Sequence, residues 1–452
     1  MVRIAVVGSG PSGVYTAQAL LDQHPGAELR VDVLDRLPCP YGLVRYGVAP
    51  DHQKIKSLQA TLRRVLEDPR VRFLGNVPVG ADGVRAERLR ALYGAVVYCV
   101  GAARDRRLGI PGEELAGSWS ATDFVSWYSG HPDAPRLELP GHTRSAVVIG
   151  AGNVALDVAR MLARTAAELR STDVPPPVLA ALADSAVRSV HLVGRRGPSQ
   201  ARFTTKELRE LGTLAEAEVV VDAAELAADP DGAEPASLGA NARRNLAALS
   251  AWADAPPRGR ARRIAPRFFL RPVELLDDGA GAVRAVRFER TAGIGGGRVT
   301  DTGEQVEIEA QLVLRSVGYQ GVALDGLPFD PERGVVPHAA GRVLRGGDVA
   351  PGEYVAGWIK RGPTGVIGSN RPCGKETATS VLADLPALPA APAADPLAAL
   401  RAAGADPVEW PGWLGIEAAE AALGRTLSRG PVKIADWPTL LRAAGDTTGG
   451  RP

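Results

Sequence analysis

Short apolar runs alternate along the chain with stretches of helical spacing, the pattern expected where strands and helices follow one another. The first run, Val2 to Val7, leads directly into Gly8-Ser9-Gly10-Pro11-Ser12-Gly13, and Val14 to Leu21 continues as helix. A second strand, Leu29 to Leu34, ends in Asp35, and Arg36 to Pro50 follows as a loop rich in Pro, Gly and Tyr. Gln53 to Glu67 places Ile55, Leu58, Leu62, Val65 and Leu66 on one helical face, and strands are expected at Val71 to Leu74 and Ala95 to Val100. From Asp105 the pattern starts again: strand Ser145 to Ile149, helix Leu156 to Leu162, strand Val187 to Val193. Strand-like stretches at Ala265 to Leu276, Val283 to Arg290 and Ile308 to Arg315 complete this second set, while Arg342 to Leu344 and Tyr354 to Trp358 return to the first.

The turns between strand and helix carry the chemistry. In the spacing G-x-G-x-x-G, Gly8 allows a tight turn, Gly10 lets backbone N–H groups reach a pyrophosphate, and Gly13 permits close helix-on-strand packing. The helix that follows points a partial positive charge at the phosphates. Asp35, 22 residues beyond Gly13, is placed to accept hydrogen bonds from an adenosine ribose. A second turn, Gly150-Ala151-Gly152-Asn153-Val154-Ala155, repeats the device, but its second strand ends in Gly194-Arg195-Arg196. Arginines there suit a 2'-phosphate that an acid would repel, so this unit is expected to prefer NADP(H). The expected fold class is α/β, two Rossmann-like dinucleotide-binding domains with the second inserted in the first. Two dinucleotide turns in one chain suggest one flavin and one pyridine nucleotide, and the expected boundaries are 1–104 with 321–384 for the FAD-binding domain and 105–320 for the NADP-binding domain. The remaining 385–452 reads as a linker, Ala- and Pro-rich from Leu385 to Asp395, and a helical extension packed on the FAD domain.

Composition narrows the functional classes. At 452 residues there is material for two or three domains, and a net charge of +2 gives no global basic excess for nucleic acid. No apolar run approaches the ~20 residues of a membrane span, and no basic-then-apolar leader precedes the first strand, so a cytoplasmic protein is expected. Cys39, Cys99 and Cys373 stand far apart, which leaves no redox dithiol and too few ligands for an iron–sulfur cluster. They read as small buried apolar residues. The densest basic segment runs from Arg243-Arg244 through Arg258, Arg260, Arg262, Arg263, Arg267 and Arg271, a candidate docking patch for an acidic protein.

Four stretches together resemble the adrenodoxin reductase family, and within it the actinobacterial ferredoxin-NADP reductases. They are Pro40-Tyr-Gly-Leu-Val-Arg-Tyr-Gly-Val-Ala-Pro-Asp-His52, Gly152-Asn-Val-Ala-Leu-Asp-Val-Ala-Arg160, Gly194-Arg-Arg-Gly-Pro198 with Thr205-Lys-Glu-Leu-Arg-Glu210, and Gly357-Trp-Ile-Lys-Arg-Gly-Pro-Thr-Gly-Val-Ile-Gly368. The resemblance implies an FAD enzyme that takes hydride from NADPH and passes single electrons to a ferredoxin-type iron–sulfur protein, and a monomer is expected. It implies FAD contacts from Ser9, Asp35, Leu43, Val77, Trp358 and the Gly365-Val366-Ile367 backbone. NADP contacts are implied for Arg106, Asn153, Val154, Arg195, Arg196, Glu207 and Gly365. His52 is implied to pair with Glu210 near the reacting groups, with Asp157 and Lys360 close by. Two positions depart from the family pattern: Ala151 stands where Asn is common, and Asp35 where Glu is common. Independently of the resemblance, Gly362 to Gly368 is glycine-rich and runs into an expected helix, Lys375 to Leu382, whose leading N–H groups would stabilise negative charge on a flavin pyrimidine. The alternative reading is an NADPH-dependent flavin oxidase or monooxygenase.

Overall fold

The computed structural model describes residues 2–26, 28–388 and 394–445. The chain divides into two compact units, one of residues 1–104, 129–133 and 319–452, the other of residues 105–128 and 134–318.

The first unit is built on an eight-stranded sheet in the order His338–Ala339, Arg342–Arg345, Asp348–Val355, Ala95–Tyr98, Val2–Val7, Leu29–Leu34, Val71–Gly75, Val408–Glu409. The pairings from Asp348–Val355 to Val71–Gly75 are parallel, and antiparallel strands close both margins. Val2–Val7 lies near the middle with neighbours on both sides, and Ile4, Ala5 and Val6 are fully buried. A central parallel strand covered on both faces has no polar alternation, which is why this one reads as a continuous apolar run. Beside the sheet, the helices Pro11–Gln23 and Asn370–Asp384 meet where Gly374 abuts Thr16.

Several expected elements take a different form. The loop at 36–50 contains one helical turn, Leu43–Tyr46, entered through positive φ at Tyr41 and Gly42 (82° and 47°). The helix expected over Gln53 to Glu67 breaks at Ser57 into Gln53–Lys56 and Leu58–Leu66. Of the expected linker, Leu385–Ala387 is a 3-10 turn and Asp395 caps the helix Pro396–Ala402 by accepting from the Leu397 N–H, while residues 389–393 lie outside the described residues.

The helices Trp410–Thr426 and Trp437–Gly445 bring Trp413, Ile416 and Leu440 into the same core as Ile4 and Val6. A buried ion pair ties them to the 36–50 loop. Glu420 accepts from both terminal nitrogens of Arg45, at 2.5 and 3.1 Å, and from the Ile434 N–H at 2.9 Å. Lys433 Nζ donates to the Arg45 carbonyl at 2.5 Å, and the guanidinium lies over Tyr46 and Trp413.

The second unit has a six-stranded parallel sheet in the order Ser118–Ser120, Leu312–Arg315, Ser145–Ile149, Ser189–Val193, Arg262–Arg267, Ala217–Val219. A three-stranded antiparallel ribbon, Leu270–Asp277, Val283–Gly293 and Val299–Glu309, is added to it. The single strand expected over Ala265 to Leu276 is therefore two strands in different sheets. The break falls at Phe269, whose φ of 58° is left-handed and costs a bulky residue about 1–3 kcal/mol. The stretch Ile308 to Arg315 divides in the same way, the ribbon ending at Glu309 and the parallel sheet resuming at Leu312. On the exposed side of the ribbon, Arg271 pairs with Asp301, Arg287 with Glu307, and Arg290 with Glu304. Two parallel sheets flanked by helices make this an α/β chain of two dinucleotide-binding folds.

Both members of the Arg45–Glu420 pair are nearly inaccessible, with side chains 5% and 6% exposed. Removing one leaves an uncompensated buried charge, so Glu420→Ala is expected to lower stability by about 3–5 kcal/mol in denaturant titration. Glu417→Ala, which cuts the half-exposed pair with Arg63, is expected to cost less than about 1 kcal/mol.

Candidate functional site

In the first unit the glycine turn is held by two contacts that no side chain could share. Gly8 has φ +109°, and a Cβ there would lie 2.5 Å from the Cys99 carbonyl oxygen; a Cβ on Gly13 would lie 1.8 Å from the Gly8 carbonyl oxygen. Gly10 is the N-cap of the helix Pro11–Gln23 and supplies no side-chain cap, and Pro11 at the first position has no N–H to satisfy. The donors of the first turn are thus left for a ligand. Around Gly10 there is room, the nearest atom to a Cβ being Gly42 Cα at 3.8 Å. A phosphate fits such a cradle.

Asp35 closes the turn from the adjacent strand. Its Oδ2 accepts from the Ser9 N–H at 2.8 Å and the Ser9 hydroxyl at 2.5 Å, and its Oδ1 from the Leu37 N–H at 2.9 Å. An ionised carboxylate offers about four acceptor sites, so room remains for a sugar hydroxyl. Val77 lies behind the acid, 1% exposed, with its N–H donated to the Asp35 carbonyl. Leu43, 40% exposed, starts the helical turn after Gly42.

Trp358 opens the helical turn Trp358–Arg361 after Gly357, where a Cβ would meet Ser12 Oγ at 2.3 Å. Its ring lies 5.4 Å from that of Tyr319, and its indole Nε1–H is buried without an acceptor among the described residues, a donor that a bound group could satisfy. Gly365 has φ +81° and Val366 is 63% exposed, while Ile367 begins a 3-10 turn that opens the helix Asn370–Asp384. That helix is longer at both ends than Lys375 to Leu382. The Val366 N–H, one of those expected to face a flavin, instead donates to Ser369 Oγ at 3.2 Å. Lys360 is anchored by Glu376 and Thr377 at 2.9 and 3.2 Å, which makes it a support for this turn. His52 is buried, and its carbonyl accepts the N–H groups of Ile55 and Lys56.

In the second unit, Gly150 has φ +144°, and a Cβ there would lie 2.2 Å from the Ser316 carbonyl oxygen. Gly152 is the N-cap of the helix Asn153–Ala163, again with no side-chain cap and with nothing within 4 Å of a Cβ. Asn153 Oδ1 accepts the Thr204 N–H at 2.8 Å, and Val154 packs half-buried against the core. Arg195 is exposed and Arg196 half-buried, and among the described residues neither guanidinium has a hydrogen bond or ion pair. Arg106 is exposed, with its N–H on the Gly318 carbonyl. Glu207 is buried on the helix Thr205–Leu211, whose N-cap is Thr204.

Asp157 and Glu210 come together through Arg160, the last residue of the stretch from Gly152. Arg160, fully buried, donates to Asp157 Oδ1 at 2.8 Å and stands 3.8 Å from Glu210 Oε2. Its signal was available: an arginine among Leu156, Val158, Ala159, Met161 and Leu162, on a helix otherwise apolar on that side, must be buried with a partner. His52 belongs to the other unit.

The basic run is broken up by the fold. Arg262 is buried on the Arg164 carbonyl, Arg267 is bonded to Glu225, Arg271 to Asp301, and Arg258 to the Ala217 carbonyl. Arg243 and Arg244 stay exposed on the helix Ala240–Ala253. Beside them a shallow groove of about 560 Å³ is lined by Lys206, Arg209, Arg244, Glu210 and Asn241.

Two strand–turn–helix cradles in one chain, the second ending in arginines that are unpaired among the described residues, define an oxidoreductase that handles two nucleotides. Residues 2–219 match the pyridine nucleotide-disulphide oxidoreductase family, although the three cysteines here are free and buried. The chain is 44% identical to the NADPH-ferredoxin reductase FprA of Mycobacterium tuberculosis, over 97% of its length and 98% of the relative's. It is 40% identical to the mitochondrial NADPH:adrenodoxin oxidoreductase of Arabidopsis thaliana, over 98% and 96%. A solved structure of M. tuberculosis FprA in complex with NADPH superposes with a TM-score of 0.92 at 43% identity, covering 98% of this chain and 99% of that one. The chain belongs to the NADPH-ferredoxin and adrenodoxin reductase family.

The second and third glycines of the first turn are expected to fail differently. Gly13→Ala, with no space for a methyl group, is expected to prevent folding of the first unit. Gly10→Ala is expected to fold with an unchanged melting temperature as apoprotein while losing most of its FAD, read from the flavin absorbance of the purified protein.

Proposed function

We propose that the protein is an FAD-dependent ferredoxin-NADP reductase, taking hydride from NADPH and delivering electrons singly to a ferredoxin-type iron–sulfur protein. The observation that carries this reading is near-full-length similarity to NADPH-ferredoxin reductases in a chain with two glycine-capped helix starts, one beside Asp35 and one in the unit that presents Arg195 and Arg196. FAD, when bound, supplies the conversion between two-electron and one-electron chemistry.

The protein's own part is to bind and orient. Gly8, Ser9, Gly10 and Gly13 form the diphosphate cradle, Asp35 accepts from the ribose, and Leu43, Val77, Trp358 and the Gly365-Val366-Ile367 segment shape the rest of the flavin site. Gly152, Asn153 and Val154 receive the second diphosphate at a helix N-terminus. Arg106, Arg195 and Arg196 hold the NADP phosphates by charge-assisted hydrogen bonds, with Glu207 on the same unit. His52, Asp157 and Glu210 orient the reacting groups, Asp157 and Glu210 through the buried charge of Arg160. The bacterial relatives support a cytoplasmic setting.

The iron–sulfur partner is proposed to dock on the helix Ala240–Ala253, where Arg243 and Arg244 are exposed beside the Lys206–Arg209 groove. Stopped-flow mixing with NADPH should bleach the flavin, and adding a bacterial ferredoxin should reoxidise it. Rapid oxygen consumption with no ferredoxin dependence would support the oxidase reading instead. Steering by exposed arginines is screened over ~10 Å at 0.1 M salt. Ferredoxin reduction should therefore slow as salt rises, and Arg243→Glu with Arg244→Glu should raise the ferredoxin KM roughly tenfold or more at low salt while flavin reduction by NADPH is unchanged.

A further inference from the structure

The backbone that carries Arg195 and Arg196 is gripped from one side by the antiparallel ribbon. The Thr291 hydroxyl donates to the Arg195 carbonyl at 2.9 Å, and the Phe269 N–H donates to the Arg196 carbonyl at 3.3 Å. Those two residues are themselves joined, the Thr291 N–H donating to the Phe269 carbonyl at 2.8 Å. Thr291 is only 3% exposed and sits at a register shift in the pairing of Val283–Gly293 with Val299–Glu309. Phe269 holds left-handed backbone at φ 58°, a conformation that an aromatic residue keeps only where its surroundings impose it. A Cβ on Gly197 would lie 2.7 Å from its ring and 2.7 Å from the Asp229 carboxylate, which accepts the Ser199 N–H at 2.8 Å. The segment from Arg195 to Ser199 is thus fixed through its backbone, while both guanidiniums remain unbonded among the described residues.

We infer that Thr291 and Phe269 are positioning residues for nucleotide discrimination, holding the Arg195–Arg196 backbone so that both side chains are aimed at a 2'-phosphate before it arrives. A bend, a bulge and a buried hydroxyl from a different sheet converge on two consecutive carbonyls, and those carbonyls belong to the two residues proposed to read the phosphate. Preorganisation of this kind acts through the cost of ordering the loop backbone that carries the two arginines, so its loss falls on the phosphate and spares the rest of the nucleotide. The inference rests on the reading of Arg195 and Arg196 as the phosphate-binding pair.

The test uses the FAD-loaded protein and two ligands that differ by one phosphate, 2',5'-ADP and 5'-AMP, with affinities measured by calorimetry. Thr291→Val keeps the shape and removes the donor. It is expected to weaken 2',5'-ADP roughly five- to tenfold, the scale of one net hydrogen bond, and to leave 5'-AMP unchanged. Thr291→Ser, which restores the hydroxyl, should recover most of the loss. In an Arg195→Ala, Arg196→Ala background, adding Thr291→Val should change nothing further, the coupling expected if the threonine acts through the arginines. Unchanged 2',5'-ADP affinity in Thr291→Val, or equal losses for both ligands, would overturn the positioning role while leaving the arginine reading intact. If the double arginine variant still prefers 2',5'-ADP over 5'-AMP, the arginine reading falls and the positioning role falls with it.

Discussion

The first unit depends on one close approach, that of the helix Pro11–Gln23 to the strand Val2–Val7 across residues 8 and 13. With no side chain at Gly13, the start of the helix sits against the Gly8 carbonyl, and with positive φ at Gly8 the chain turns beneath the Cys99 carbonyl, just past the end of the neighbouring strand Ala95–Tyr98. Both contacts are van der Waals limits, so the position of the helix start is set by hard-sphere geometry, which is stiff. The donors of the first helical turn are aimed by that geometry, and Asp35 locks the intervening loop by taking both the N–H and the hydroxyl of Ser9. Electrostatics follow from the placement, because a helix end and a carboxylate act strongly only over the first turn or a hydrogen-bond length.

Much of this was legible in the sequence. The glycine spacings, the acid after Leu34 and the arginines after Val193 read correctly as turns and strand ends, because each is a local demand of backbone or charge. What the pattern hid were changes of direction inside apolar runs. From Ile264 to Leu270 the sequence stays strand-like, and nothing in two adjacent phenylalanines marks the left-handed turn at Phe269, which neighbouring packing imposes. The break at Ser57 is hidden for the same reason, since Ile55 and Leu58 keep helical spacing on either side of it.

Charge was misread where the period of a strand was ignored. Arg262 and Arg263 are neighbours in a basic run, yet they point to opposite faces: one is buried and bonded to the Arg164 carbonyl, the other exposed. A run of arginines along strands is thus divided between interior and surface, whereas Arg243 and Arg244 on a helix stay together outside. The site residues followed a similar rule. Glycines and arginines at turns could be named from the sequence, but Arg160 draws its meaning from Asp157 and Glu210, of which the second lies fifty residues further along the chain.

The burial of the three thiols bears on how long such a protein survives its own chemistry. Desolvation pushes Cys39 up to about 11 and Cys99 up to about 12, so at neutral pH both remain protonated and out of reach of water-borne reagents. Peroxide attacks thiolates that it can reach. The Cys99 carbonyl abuts Gly8 of the first glycine turn, and Cys373 accepts the Gly357 N–H through its sulfur at 3.2 Å, so both serve as scaffold atoms of the first unit. Sulfur held as a packing atom gives oxidants little to sulfenylate, and inactivation by leaked peroxide would have to begin elsewhere than at these thiols.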